Sequence, residues 1–167
     1  MSVESPYKRR SARILLVDGA ERILLFRFAD RVSGNIWITP GGGVKDGEAL
    51  AVAAARELQE ETGLIVAAHD LGSPVAFGGG YADLGWVKGV FRDDYFFHRV
   101  HTHAVDVSGM EIHETGTMLG HRWWPIDEIS STDEIIYPLG LVDLLTDLLA
   151  GRRPGLSPVL INRRRAG

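Results

Sequence analysis

The sequence predicts an α/β fold with a mixed sheet in a single domain. Apolar runs of strand length alternate with two segments of helical spacing, and Gly, Pro and Asp-Gly turn signals separate them. Such a mixture of hairpins and helices is typical of one α/β domain whose helices cover the sheet. The chain has 167 residues, 45% of them hydrophobic and 24% charged, which suits one domain with a complete core.

The predicted strands are short runs rich in apolar, β-branched and aromatic residues, each bounded by a turn signal. They lie at residues 12–17, 23–28, 36–39, 64–68 and 74–77, with one or two more over 87–105. The first two form a hairpin, because Asp18-Gly19 between them supplies a tight turn. The run Gly78–Gly80 is predicted to be a loop, either a flexible segment that gates a ligand or a long hairpin turn.

Two segments carry the pattern of a helix that packs one face on a core. The Ala-rich segment 48–62 is the first, and Gly63 follows it as a residue suited to end a helix. The second is segment 138–150, whose leucines form one stripe before Gly151.

Composition and charge narrow the class of protein. The net charge of −4 argues against a broad nucleic-acid surface, since Lys and Arg hold phosphate backbones. Cysteine is absent, which excludes disulfides, thiolate metal sites and a Cys nucleophile. The apolar run 14–17 is too short for a signal-peptide core, and no stretch is long enough to cross a membrane. We predict a cytoplasmic protein with one domain over residues 1–167, a core of about 11–150 and basic, flexible termini.

The stretch from Gly42 to Leu64 has the densest chemical pattern. On the predicted helix, Glu57, Glu60 and Glu61 stand at i, i+3 and i+4, so their carboxylates share one face. Crowded carboxylates repel one another, and a hard cation such as Mg²⁺ or Mn²⁺, which prefers oxygen ligands, relieves that repulsion. Arg56 is placed to orient a carboxylate, and the glycines before the helix let backbone groups approach an anionic ligand.

The same stretch resembles the Nudix box. It contains Gly42-x5-Glu48-x7-Arg56-Glu57-Leu58-x-Glu60-Glu61-x-Gly63-Leu64, which agrees with the family's pattern at every fixed position. Two flanking segments also look like the family, Trp37 to Gly42 before the box and His121 to Glu128 well after it. The resemblance therefore covers most of the chain, although only the box is highly specific.

The resemblance implies an α/β/α sandwich in which the box forms a loop, a helix and a second loop. It implies Mg²⁺ or Mn²⁺ bound by Glu57, Glu60, Glu61 and the backbone carbonyl of Gly41. The residues implied to hold the box in register are Gly42, Glu48, Arg56 and Gly63. Metal-bound water would attack a phosphorus atom, with Glu57, Glu60 and Arg56 among the catalytic groups. The implied activity is cleavage of a pyrophosphate bond in a nucleoside diphosphate linked to another group.

The general base and the substrate are less closely fixed by the resemblance. Family members take the base from a box glutamate or from a later loop, where Glu114 is the first candidate and Glu111 the second. Tyr81, Trp86 and Phe91 are candidates for stacking on a nucleobase, although packing in the core or on a strand is the favoured role for each. ADP-ribose-cleaving members often carry a proline where this chain has Gly80, whereas dinucleoside-polyphosphate hydrolases often carry a tyrosine near the position of Tyr81. Nucleoside triphosphates and nucleotide sugars stay open, as does a homodimer.

Two other functions and one other metal site are alternatives to this interpretation. A non-catalytic Nudix-fold sensor or regulator usually loses box glutamates or carries an added DNA-binding module, and this sequence shows neither feature. An isomerase of the isopentenyl-diphosphate type relies on a catalytic cysteine, which is absent. His101 and His103 alternate on a predicted strand and suggest a zinc site, but no third ligand motif accompanies them. A hydrolase that acts on a small nucleotide is the prediction, and the sensor is its alternative.

Overall fold

The computed structural model describes residues 6–30, 34–83, 88–110, 118–153 and 158–161. Its strands are β1 (Arg9–Val17), β2 (Arg22–Asp30), β3 (Gly34–Ile38), β4 (Gly41–Gly43), β5 (Ala76–Asp83), β6 (Lys88–Arg99), β7 (Met118–Pro125), β8 (Ile135–Ile136) and β9 (Val159–Leu160). Its helices are α1 (Leu50–Thr62), α2 (Ile126–Ile129) and α3 (Leu141–Leu149), with a 3₁₀ turn at Ala68–Leu71.

The strands form one mixed sheet in which neighbours follow the order β8-β3-β2-β1-β6-β5-β9. Strand β1 lies near its centre, antiparallel to β2 and β4 and parallel to β6. Strand β7 pairs antiparallel with β2 from Arg22 to Phe28. The register of β1 places Arg13 beside Gly41 on one side and beside Tyr95 on the other. Strand β1 therefore links the glycine strand β4 to the aromatic strand β6.

Helices cover both faces of the sheet, and β1 contributes to the core on each face. Leu15 and Val17 pack with α3 in one core, whereas Ile14 and Leu16 pack with α1 in the other. This division follows from the two-residue period of a strand, which sends alternate side chains to opposite faces. The α/β/α sandwich with a mixed sheet in one domain is therefore confirmed. No helix among the described residues has the length and apolar run needed to cross a membrane.

Two predicted elements are wrong. The strand predicted at 64–68 is absent, since residues 64–67 pair with no strand and Ala68 begins the 3₁₀ turn. Leu64 and Val66 pack against the α1 core, whereas Ile65 is exposed. That arrangement produces the alternating pattern of a strand without any strand pairing. The glycine run 78–80 lies inside β5 and is not a loop, and Gly79 pairs with Arg92 of β6. A Cβ on Gly79 would lie 2.1 Å from the carbonyl oxygen of Phe91, so glycine lets the two backbones approach closely.

Candidate active site

Helix α1 holds the charged residues of the box along the edge next to β4. Its apolar side is fully buried against the sheet through Ala53, Ala54 and Leu58. The helix ends at Gly63, which adopts a left-handed conformation with φ of 76° and donates its N–H to the carbonyl of Gln59. Both expectations for the helix are confirmed, its span to within two residues and its terminating glycine.

Two glycines of β4 lie directly against two glutamates of α1. The N–H of Gly41 donates to Oε2 of Glu61 at 2.8 Å. A Cβ on Gly42 would lie 2.6 Å from Oε1 of Glu57, so any larger residue would displace that carboxylate. The glycines thus allow the backbone of β4 to form one wall of the carboxylate cluster.

Arg56 connects the residues of the box to one another. Its guanidinium donates to both carboxylate oxygens of Glu48 at 2.9 Å, in the bidentate geometry that makes such pairs strong. It also donates to Oε1 of Glu57 at 2.9 Å, to the carbonyl of Gly43 at 3.0 Å and, at 3.4 Å, to Glu60. The hydrogen bonds from Arg56 lower the pKa of Glu48 to about 2, and the Glu48 carboxylate in turn raises the pKa of Arg56.

The glutamates differ in their access to solvent. Glu57 and Glu61 are each 5% exposed, whereas the side chain of Glu60 is 26% exposed. Burial of a carboxylate this far from water destabilises the fold unless a positive charge lies close to it. Arg56 provides one such charge, and Arg13 provides a second.

Arg13 is a charged residue of the site that the motif does not include. Its side chain is 13% exposed, and its Nη1 donates to the carbonyl of Gly41 at 3.0 Å, while its Nε lies 3.8 Å from Oδ1 of Asp93. Burial disfavours the charged guanidinium, but nearby anionic groups outweigh burial and raise the pKa of Arg13; these groups are Asp93, Tyr95, Glu61 and Glu57. One signal could have found this residue from the sequence, since it is the charged position within the apolar run 12–17.

Arg13 also borders a cleft beside the glutamates. The cleft has a volume of about 60 Å³ and is lined by Arg13, Ile36, Ile38, Thr39, Asp93, Tyr95 and Tyr137. Apolar walls with a few convergent polar groups are typical of a small-molecule site. Because Arg13 lines the cleft and also contacts Gly41, the cleft adjoins the glutamate cluster.

The structure describes only some of the predicted site residues that lie outside the box. Tyr81 lies in β5, where its backbone pairs with Val90 of β6. Three others lie outside the described residues, and their roles stay predictions; they are Trp86, Glu111 and Glu114. Phe91, another candidate for stacking on a base, is 5% exposed and packs inside the protein.

The two histidines do not share a strand face, because β6 ends at Arg99. His103 instead places Nε2 2.8 Å from the carbonyl oxygen of Thr62, at the end of α1. Further along the chain, Trp124 on β7 is 2% exposed and packs in the α3 core.

The donor chemistry of the glutamate cluster fits a hard divalent cation. Its groups are carboxylates from one helix face and the backbone carbonyl of Gly41, and Mg²⁺ and Mn²⁺ prefer oxygen ligands of this kind. Among the residues that the structure describes, no three His, Asp or Glu side chains already converge on one metal position. Arg56 and the Gly41 N–H engage the carboxylates instead. A cation at this face would therefore take over oxygens that now accept hydrogen bonds.

Comparison with known proteins places this fold and site in a family. The NUDIX domain family model matches residues 7–140, which is most of the chain. The protein belongs to the NUDIX domain family.

Individual proteins support this assignment, one by its sequence and two by their fold. An RNA pyrophosphohydrolase of Novosphingobium aromaticivorans is 44% identical over 59 residues, which cover 35% of this chain and 36% of that relative. The match thus spans only about a third of the relative's length. The MutT protein from Methanosarcina mazei Go1 has a TM-score of 0.62 at 22% identity, over 92% of this chain and all of its own. The NUDIX domain of Shewanella oneidensis NrtR complexed with ADP ribose has a TM-score of 0.61 at 15% identity, over 88% and 90%. At these identities the two structures share the fold alone.

Proposed function

We propose that this protein is a Mg²⁺-dependent pyrophosphohydrolase that cleaves a nucleoside diphosphate linked to another group. The observation that supports this most is the cluster of Glu57, Glu60 and Glu61 packed against the glycine strand of a NUDIX domain, with Arg56 bound to two of them. Mg²⁺ or Mn²⁺ would be held by these glutamates and the carbonyl of Gly41. Tight packing of charged groups at a strand edge, next to a cleft, is typical of a reactive site.

Each residue of the cluster has a distinct part in the proposed reaction. A bound divalent cation supplies an activated water and neutralises charge on the leaving phosphate. Arg56 orients Glu57 and Glu60, and its bidentate pair with Glu48 fixes Arg56 itself. A box glutamate or Glu114 accepts the proton of the attacking water.

The cleft and the overall charge of the chain support a small nucleotide as the substrate. The cleft beside Arg13 offers isoleucine and tyrosine side chains that suit a planar base and polar groups that suit its edge. A net charge of −4 makes a long nucleic-acid chain a poor partner, so we infer a small nucleotide. Four classes suit the site, namely nucleoside triphosphates, dinucleoside polyphosphates, ADP-ribose and nucleotide sugars. A short 5′-triphosphorylated RNA belongs in the same test, because the curated relative is named an RNA pyrophosphohydrolase.

A substrate panel tests this proposal. The protein is incubated with each compound class in Mg²⁺ and in excess EDTA, and the products are identified by mass. We expect cleavage of at least one class between two phosphorus atoms, in Mg²⁺ only. Glu57→Gln should abolish that cleavage. Glu128→Gln should not, because Glu128 is an exposed carboxylate of α2 that pairs with Arg122, and α2 packs against the α3 core and not against the α1 core. Tight binding of one compound without any turnover in Mg²⁺ or Mn²⁺ would refute the hydrolase and favour the ligand sensor.

A further inference from the structure

The carbonyl of Gly41 is already engaged by a side chain of the protein itself. Arg13 donates to it from Nη1 at 3.0 Å and lies 3.5 Å from the carbonyl oxygen of Thr39. The contact is close along the whole side chain, since a Cβ on Gly41 would lie 2.7 Å from Cδ of Arg13. Arg13 therefore lies flat against the backbone segment that the proposed function assigns to the metal.

We propose that Arg13 is a positioning residue that competes with the divalent cation for the Gly41 carbonyl and so weakens metal binding at the glutamate cluster. The inference rests on the proposed function, because it takes the glutamates and the Gly41 carbonyl as the cation site. It concerns an arginine of β1 that lies outside the box and that has no part in the box pattern.

Electrostatics give the direction of the effect. Two cations on one carbonyl lie a few ångströms apart, where the Coulomb repulsion inside a protein exceeds thermal energy. Arg13 also partly neutralises Glu57 and Glu61, whose charges act on its guanidinium. Both effects lower the affinity of these carboxylates for a second cation. Removal of the guanidinium should therefore tighten metal binding.

Asp93 provides the guanidinium with an alternative partner. Its carboxylate is 2% exposed and lies 3.8 Å from Nε of Arg13, too far for a hydrogen bond but close enough for attraction. When a cation takes the Gly41 carbonyl, Arg13 can shorten this contact and stay buried. Arg13 and Asp93 both line the cleft, so the guanidinium stays next to the cleft in this alternative arrangement.

Titration of the full chain with Mn²⁺, followed by electron paramagnetic resonance without substrate, tests the inference. We expect Arg13→Met to lower the Mn²⁺ dissociation constant by about tenfold. Arg92→Met is the matched control, since Arg92 is a partly buried arginine on β6 that pairs with buried Asp94 and makes no contact with Gly41. It should change the constant less than about twofold.

A second variant guards against loss of the fold. Arg13→Met/Asp93→Asn removes the negative charge of Asp93 together with the guanidinium, and circular dichroism verifies that it folds. It should still bind Mn²⁺ more tightly than the wild type, by about threefold. Unchanged or weaker binding in both variants would overturn the inference. If binding in the wild type is lost in Glu61→Gln yet unaffected by Arg13→Met, this inference alone fails. Wild-type protein that binds no Mn²⁺ would refute the proposed function as well.

Discussion

Replacement of Arg56 by methionine is expected to destabilise the fold by about 4 kcal/mol. The change removes the ion pair between Arg56 and Glu57, whose side chain is 6% exposed, and loss of one partner of a buried ion pair costs roughly 3–5 kcal/mol. It also removes the bidentate pair with Glu48 and the hydrogen bond to the Gly43 carbonyl, each worth on the order of 1 kcal/mol. Methionine keeps most of the apolar stem, which offsets part of the loss.

Urea unfolding followed by tryptophan fluorescence measures this free energy. Arg152→Met is the control, because Arg152 pairs with Asp147 at a similar distance but both side chains are more than half exposed. Its cost should be about 0–1 kcal/mol. Addition of Glu57→Gln to Arg56→Met should recover part of the stability, since a neutral amide costs less to bury than a carboxylate that has lost its arginine. A loss below about 1 kcal/mol in Arg56→Met, equal to the control, would refute this account of the box.

Three further predictions concern the pH dependence of stability, the space beside Gly42 and the choice of metal ion. Arg56 lowers the pKa of Glu48 from 4.5 to about 2. The Glu48 carboxylate therefore stabilises the fold fully above pH 4.5, and this contribution is lost as the pH falls toward 2. Urea midpoints measured across that pH range should fall less steeply in Glu48→Gln than in the wild type. Gly42→Ala places a Cβ against the Glu57 carboxylate and should weaken Mn²⁺ binding about tenfold, whereas Gly43→Ala, whose Cβ would make only ordinary contacts, should not. Equal affinities in these two variants would contradict the assigned role of Gly42. Ca²⁺ should compete with Mg²⁺ for binding yet support little turnover, because it does not enforce octahedral geometry, and rapid hydrolysis in Ca²⁺ alone would contradict this.

The hairpin, the box helix and the final helix were predictable because each depends on local signals. The turn after Asp18, the terminating Gly63 and the leucine stripe of α3 each act over a few residues. The turn differs from the prediction in one respect, because the positive φ lies at Glu21 and not at Gly19, and the Asp18 carboxylate accepts from the N–H groups of Ala20 and Arg22. The fate of Gly78–Gly80 depended on pairing with a distant strand, which no local signal shows. Single-sequence reasoning treats three consecutive glycines as a flexible loop, although here they admit close approach of β6.

The site divides in the same way. Glu57, Glu60 and Glu61 share a face because of helical spacing alone, and that spacing is visible in the sequence. Arg13 and Asp93 meet only because β1 runs parallel to β6, across a long stretch of chain. The charge of Arg13 within an apolar run is visible in the sequence, but its position between Asp93 and Gly41 is a product of sheet topology.

Steady-state hydrolysis of the best substrate by Glu61→Gln tests the central claim most directly. Glu61 is nearly buried and accepts the Gly41 N–H, and an amide of the same size can remain in place without the charge that binds a cation. The account predicts that kcat in Mg²⁺ falls by roughly 10²-fold or more while the unfolding transition stays close to that of the wild type. A folded Glu61→Gln with near-normal kcat would contradict the assignment of the glutamate cluster as the catalytic metal site.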